Sequence, residues 1–240
     1  MLAHRGLALE APENTLLAFV AAIGIGATHI ETDVHASSDG VAVVAHDPDL
    51  TRVAGSSATV RELPFAVLQK IDLGHGQVFC SLAEALDAFP ETRFNIDIKS
   101  ADAIAPTVAA ILDARATDRV LVTSFSENRR RGAVRRLPGV ATSASSLRFA
   151  AALAGGKTGL TPLLRRALRG IDAVQVPERY SGVTIVTERM IRQLHSAKVE
   201  VHVWTVNDAP AMHRLLDLGV DGIVTDRADI ALGVLTARAQ

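Results

Sequence analysis

Short β-branched runs alternate with longer amphipathic stretches along nearly the whole chain, and this alternation limits the fold more than any other feature. LAH at 2–4, THIETDV at 28–34, RFNIDIK at 93–99, VLVTSF at 120–125, VATSAS at 140–145, AVQVP at 173–177, VHVWTV at 201–206 and GIVTD at 222–226 read as strands. Residues 14–25, 81–88, 101–115, 127–137, 160–169, 187–196 and 209–218 read as helices. Repeated βα units build parallel sheets. Eight such strands in 240 residues predict a (β/α)8 TIM barrel, a fold of about 250 residues. A doubly wound sheet would carry a glycine-rich turn after its first strand, and HRGLALEAPENT is not G-x-G-x-x-G. No linker or low-complexity run divides the chain, so residues 1–240 read as a single domain.

One run breaks the repeat. VAVVAHD at 41–47 is strand-like but follows the second strand after only HASSDG. Asp39-Gly40 is a strong hairpin turn signal. Residues 28–35 and 41–46 therefore read as a β-hairpin extension after strand 2. It leaves the barrel's C-terminal mouth, turns, and brings His46 back to that mouth.

Composition excludes several classes. The chain has 25 basic and 26 acidic residues, net charge -1, and so lacks the basic excess of a nucleic-acid binder. NRRRGAVRR at 128–136 has no interleaved aromatics and reads as a solvated helix face. Cys80 is the single cysteine, which rules out an internal disulfide and a cysteine zinc site. No apolar run approaches the ~18 residues of a membrane span. His4 arrives too early for a signal peptide, so a cytoplasmic location is expected. No sequence feature reports the oligomeric state.

The polar residues on the strands carry the chemistry. Glu31 and Asp33 are two apart and share one face of their strand; Asp97 and Lys99 repeat that geometry on the next barrel strand. Carboxylates clustered at one mouth repel one another, and a divalent cation relieves this. Oxygen ligands suit hard ions such as Mg²⁺ or Ca²⁺, and no histidine on these strands completes a zinc site. His4 ends strand 1 and His46 ends the returning hairpin, so they can serve as a general acid and base. Arg5 and Lys99 add positive charge suited to phosphate. Together these groups point to phosphoryl transfer.

AHRG…APENT, IETDV, DG…VVAHD, NIDIK, VTSF, VWTVN and GVDGIVTDR occur here in the order seen in the glycerophosphodiester phosphodiesterase family, from residue 2 to about residue 229. The chain resembles that family's compact bacterial type, since only about 25 residues separate His46 from DLG at 72–74. The resemblance implies a (β/α)8 fold and metal-dependent hydrolysis of a small glycerophosphodiester to glycerol 3-phosphate and an alcohol. It implies His4 and His46 as the acid/base pair, Glu31 and Asp33 as metal ligands, and Arg5 and Lys99 near the phosphate. One divalent ion is expected, Mg²⁺ or Ca²⁺, with Mn²⁺ as a further option. Asp97 stands where the family usually has glutamate. Being one methylene shorter, it reaches the metal if the ion moves, or through a water.

Trp204, in VWTVN, reads as either core or a wall of the substrate pocket. Gly6 is expected to turn the chain off strand 1 and to leave room for the phosphate. Asn14 and Thr15 read as caps of the first helix, and Asp226 as part of the turn after the last strand. His35 is read as near the mouth without a role; His29, His75, His195, His202 and His213 read as structural or surface residues. Two rivals stand beside the main reading. One is a lysophospholipase D or sphingomyelinase D-like phosphodiesterase. The other is a phosphodiester-binding barrel impaired by Asp97.

Overall fold

The computed structural model describes residues 1–239. Eight parallel strands form the barrel: β1 (Leu2–His4), β2 (His29–Ala36), β3 (Arg93–Ile98), β4 (Val120–Thr123), β5 (Ala141–Thr142), β6 (Ala173–Pro177), β7 (Glu200–Trp204) and β8 (Gly222–Thr225). The order around the sheet is β5-β4-β3-β2-β1-β8-β7-β6. A parallel bridge from Ser143 to Ala173 joins β5 to β6, where the Ala144 N–H donates to the Ala173 carbonyl at 2.9 Å. The sequence expected a longer fifth strand, 140–145. Only two residues pair there with β4, because the chain then swings away to close the ring.

Strand parity sorts the side chains. Ile30, Phe94, Ile96, Val122, Val174 and Val203 are buried apolar residues. Glu31, Asp33, Asn95, Asp97 and Gln175, on the opposite parity of their strands, line a cavity at the barrel mouth. The helices form the outer layer: α1 (Leu16–Gly24), α2 (Leu82–Ala88), α3 (Ile104–Asp113), α4 (Glu127–Val134), α5 (Ser146–Thr158), α6 (Thr161–Ala167), α7 (Glu188–Ser196), α8 (Ala209–Asp217) and α9 (Ala228–Ala239). Thr15 caps α1, and Ser81 with Glu84 forms a capping box on α2.

Two helices were not predicted. One is α5, where the pair Gly155-Gly156 lets α6 approach, since a Cβ on Gly155 would lie 2.8 Å from the Leu164 nitrogen. The other is α9. Sequence reasoning also passed over the small layer after the hairpin, where Asp49–Leu50 pairs with Ser56–Thr59 over a satellite core of Val43, Leu50, Val60, Leu68 and Phe79.

The hairpin forms as expected. β2 pairs antiparallel with Ala42–Val44, with Val34 opposite Val44 and Ala36 opposite Ala42. Gly40 takes φ +79° in the turn. Among the described residues no helix is long and apolar enough to cross a membrane.

Candidate active site

β1 delivers His4 to the mouth, and the backbone then reverses through Arg5 at φ +56° and Gly6 at φ +86°. A Cβ on Gly6 would lie 2.7 Å from the Ala18 carbonyl carbon. Glycine therefore turns the chain off β1, as expected, and makes room for α1. His4 Nδ1 lies 2.6 Å from Asp226 Oδ1. Asn207 donates to the other Asp226 oxygen at 2.8 Å. The hydrogen bond from His4, with help from Asn207, holds the Asp226 carboxyl below the usual range. Asp226 is thus a partner of His4 and not only a turn residue. The second ring nitrogen, Nε2, is 3.8 Å from Glu31.

His46 arrives from the hairpin. The Ala45 N–H donates to the Asp33 carbonyl at 3.0 Å, which fixes the start of its loop. His46 Nδ1 lies 2.7 Å from Asp47 Oδ1. Arg52 donates to Asp47 at 2.6 Å and to Glu13 at 2.7 Å, and Arg5 donates to the same Glu13 oxygen at 2.9 Å. Burial alone would raise the Asp47 and Glu13 carboxyls. The hydrogen bonds from His46 and Arg52 to Asp47, and from Arg52 and Arg5 to Glu13, bring both below their ordinary values. His35 is also engaged, with its Nε2 3.1 Å from the His46 carbonyl oxygen.

Between the histidines lie three buried carboxylates. The β2–β3 register sets Asp33 beside Asp97 and Glu31 beside Asn95. Lys99 Nζ sits between Asp33, at 2.8 Å, and Asp97, at 2.7 Å. Asn14 donates to Asp33 at 3.0 Å and accepts from Thr32 at 2.8 Å, so it braces a carboxylate while Thr15 alone caps α1. Burial pushes Glu31 well up, and the neighbouring Asp33 and Asp97 charges add to this. Burial also raises Asp97, against the opposing pull of Lys99. Asp33 is held low because Lys99 and Arg5 outweigh its burial. Lys99 is raised in turn, its two carboxylate partners outweighing its own burial.

The donor set fits a hard divalent cation. Its three side chains are oxygen ligands, burial raises two of them above the usual carboxylate range, and Asp97 Oδ1 is buried without any partner. Among the described residues no three His, Cys, Asp or Glu side chains are already gathered as ligands. The Lys99 ammonium takes the place between Asp33 and Asp97.

A cavity of about 570 Å³ collects all eight residues singled out in the sequence: His4, Arg5, Glu31, Asp33, His46, Asp97, Lys99 and Trp204. Its far side is apolar, with Phe125, Phe149, Leu153, Tyr180 and Ile185. Sequence reasoning missed Asp47, Arg52, Glu13 and the roles of Asp226, Asn207 and Asn14. All but Arg52 lie in the quoted motifs: Asp47 beside His46, Glu13 and Asn14 inside PENT, Asn207 in VWTVN and Asp226 in GVDGIVTDR. The basic stretch 128–136 is not wholly solvated. Arg130 is buried and makes two hydrogen bonds to Glu127, while Arg129 reaches Ser124.

Comparison with known proteins places this architecture. Residues 4–230 match the Glycerophosphoryl diester phosphodiesterase family. A Mycobacterium tuberculosis protein described as probable glycerophosphodiester phosphodiesterase 2 is 45% identical over 241 residues, covering 100% of this chain and 91% of that protein. The crystal structure of a putative glycerophosphoryl diester phosphodiesterase from Silicibacter pomeroyi superposes with TM-score 0.83 at 23% identity, over 99% of this chain and 93% of that one. An Oleispira antarctica phosphodiesterase, solved with the product sn-glycerol-3-phosphate, superposes with TM-score 0.81 at 22% identity, over 98% and 96% of the two chains. The chain belongs to the glycerophosphoryl diester phosphodiesterase family, a family of phosphoric diester hydrolases.

Proposed function

We propose that this chain hydrolyses glycerophosphodiesters to glycerol 3-phosphate and an alcohol, with His4 and His46 as the acid/base pair. The observation that carries the reading is the pairing of each histidine with its own carboxylate across one cavity. Nδ1 of His4 meets Asp226 and Nδ1 of His46 meets Asp47. A carboxylate on Nδ1 fixes the ring and its tautomer, leaving Nε2 to exchange a proton with the substrate.

Arg5 and Lys99 face the phosphodiester from the polar side of the cavity. Their charges stabilise the non-bridging oxygens as negative charge builds there. Glu31, Asp33 and Asp97 would hold the divalent cation, Mg²⁺ or Ca²⁺ with Mn²⁺ also suited, which when bound supplies further charge stabilisation at those oxygens. One histidine takes the proton from the attacking hydroxyl as the new P–O bond forms. The other gives a proton to the leaving alkoxide as the old P–O bond breaks. The attacker is water, or the glycerol 2-hydroxyl of the substrate. In the second case a cyclic phosphate forms and water then opens it. The glycerol 3-phosphate bound as product on the same fold in the Oleispira phosphodiesterase supports this substrate class.

The test is release of glycerol 3-phosphate from glycerophosphocholine by protein treated with EDTA, then supplied with Mg²⁺, Ca²⁺ or Mn²⁺ separately. Turnover restored by a metal and lost in His4→Ala and His46→Ala is expected. Absence of turnover with every metal, with turnover gained in Asp97→Glu, would instead mark a binding barrel.

A further inference from the structure

The chain has seven Phe, one Tyr and one Trp. Four of these nine aromatics, Phe125, Phe149, Tyr180 and Trp204, line the one cavity that also holds the histidines. They come from four separate places: the ends of β4 and β7, the first turn of α5, and the Arg179–Tyr180 strand after β6. So sparse an aromatic content gathered beside a reaction centre calls for a ligand.

Phe125 and Trp204 stand edge to face, with ring centroids 6.0 Å apart and planes at 79°. Two nearly perpendicular rings make a corner with a negative π face on one wall and a ring edge on the other. Phe125 already holds a cation at its ring, with Lys99 Nζ 5.9 Å from the centroid. It is nevertheless 56% exposed, so much of the ring stays open to the cavity. Among the described residues, the carboxylates lining the cavity are Glu31, Asp33 and Asp97, all on the polar side. The aromatic side therefore offers no carboxylate to a primary ammonium. It offers π surface and apolar contact, which suit a weakly hydrated quaternary ammonium.

We propose that the Phe125–Trp204 corner is the subsite for the leaving alcohol and that it takes a quaternary ammonium alcohol of the choline class. This rests on the phosphodiesterase reading of the same cavity. Lys99 connects the two parts, since one ammonium touches both Asp33 and Asp97 and lies within cation–π distance of Phe125. An ester whose phosphate sits over Lys99 and Arg5 therefore has the corner beside it, and a two-carbon bridge carries its trimethylammonium there. Ethanolamine would lose hydration without gaining acceptors. Glycerol or inositol would bury hydroxyls against rings.

Two measurements test the proposal. The first compares kcat/KM for glycerophosphocholine, glycerophosphoethanolamine and the 3,3-dimethylbutyl ester of glycerol 3-phosphate, a neutral isostere of the choline ester. Choline is expected to be favoured about tenfold over the isostere, the size of a desolvated cation–π contact. Phe125→Leu is expected to bring that ratio close to one, and Phe125→Tyr to keep most of it. An isostere turned over as well as the choline ester would overturn the proposal, as would a lysophospholipid preferred by more than tenfold over glycerophosphocholine. The second measurement does not depend on turnover. Trp204 is the single tryptophan, so its fluorescence reports occupancy of the corner. Choline should perturb it saturably, and 3,3-dimethylbutanol about tenfold more weakly. Ester turnover without a saturable choline response sinks the subsite and leaves the reaction standing. A choline response without turnover of any ester does the reverse.

Discussion

His4 ends a barrel stave, whereas His46 stands on a loop returned by a hairpin. His4 is placed by β1, whose neighbours β2 and β8 hold it on both sides, and its partner Asp226 follows β8 directly. His46 follows the hairpin's last backbone bond, from Ala45 to Asp33, and beyond it side chains hold the ring. Asp47 holds the ring, Arg52 holds Asp47, and Glu13 joins Arg52 to Arg5 on the first loop. The Arg52 side chain is 49% exposed. A position set by backbone resists solvent and salt, while one set by half-exposed ion pairs is screened by them. The candidate site thus contains a rigid half and an adjustable half.

The broadest way to break this comparison is to remove each ring. His4→Ala and His46→Ala are each expected to lower kcat by about 10²–10⁴-fold, the usual share of a general acid or base. The double variant should fall little below the worse single one, because the two rings act as a unit. Steady-state release of glycerol 3-phosphate measures both. Next comes the rigid half. Asp226→Asn keeps the shape but cannot hold the imidazolium, and should cost about 100-fold in kcat with KM nearly unchanged.

The adjustable half should respond less, and differently. Arg52→Met is expected to cost about tenfold in kcat, with Arg52→Lys recovering part of it. Raising the ionic strength should slow the native enzyme towards the Arg52→Met rate and slow Asp226→Asn by a similar factor, but leave Arg52→Met little changed further. Equal salt responses of the two variants would erase the distinction between the halves.

The smallest effect concerns stability. Burial and its acidic neighbours raise Glu31, so the folded state binds that proton more tightly than the unfolded chain does. The stability linked to Glu31 is therefore full below its ordinary 4.5 and is lost as pH rises through the raised value. In metal-free protein, Glu31→Gln should raise Tm by a few degrees at neutral pH, a gain that should vanish near pH 4, and the variant should show no turnover when metal is restored. Thermal unfolding followed across that range reads it directly.

The strand-borne carboxylates were the more legible part of the site in the sequence. Strand parity alone put Glu31 and Asp33 on one face and Asp97 with Lys99 on another, and the structure brings all four into the cavity. The Asp39-Gly40 turn was enough to return His46 to the mouth. Asp226 was not legible as a partner of His4, because 222 residues separate them and only ring closure makes β8 a neighbour of β1. Arg52 and Glu13 were hidden in the same way, 39 residues apart on two loops whose meeting no local pattern encodes. The seat of Lys99 between Asp33 and Asp97 depends on the β2–β3 register, which composition does not reveal.

The division of labour between the two histidines is tested most directly by changing the leaving group. An ester of glycerol 3-phosphate with p-nitrophenol needs no proton on its departing oxygen, whereas the choline ester does. With the p-nitrophenyl ester, one of the variants His4→Ala and His46→Ala is expected to recover most of the native rate, and the other to stay as slow as it is with the choline ester. Recovery in neither variant, or equal recovery in both, would contradict an acid and a base on opposite sides of one phosphate.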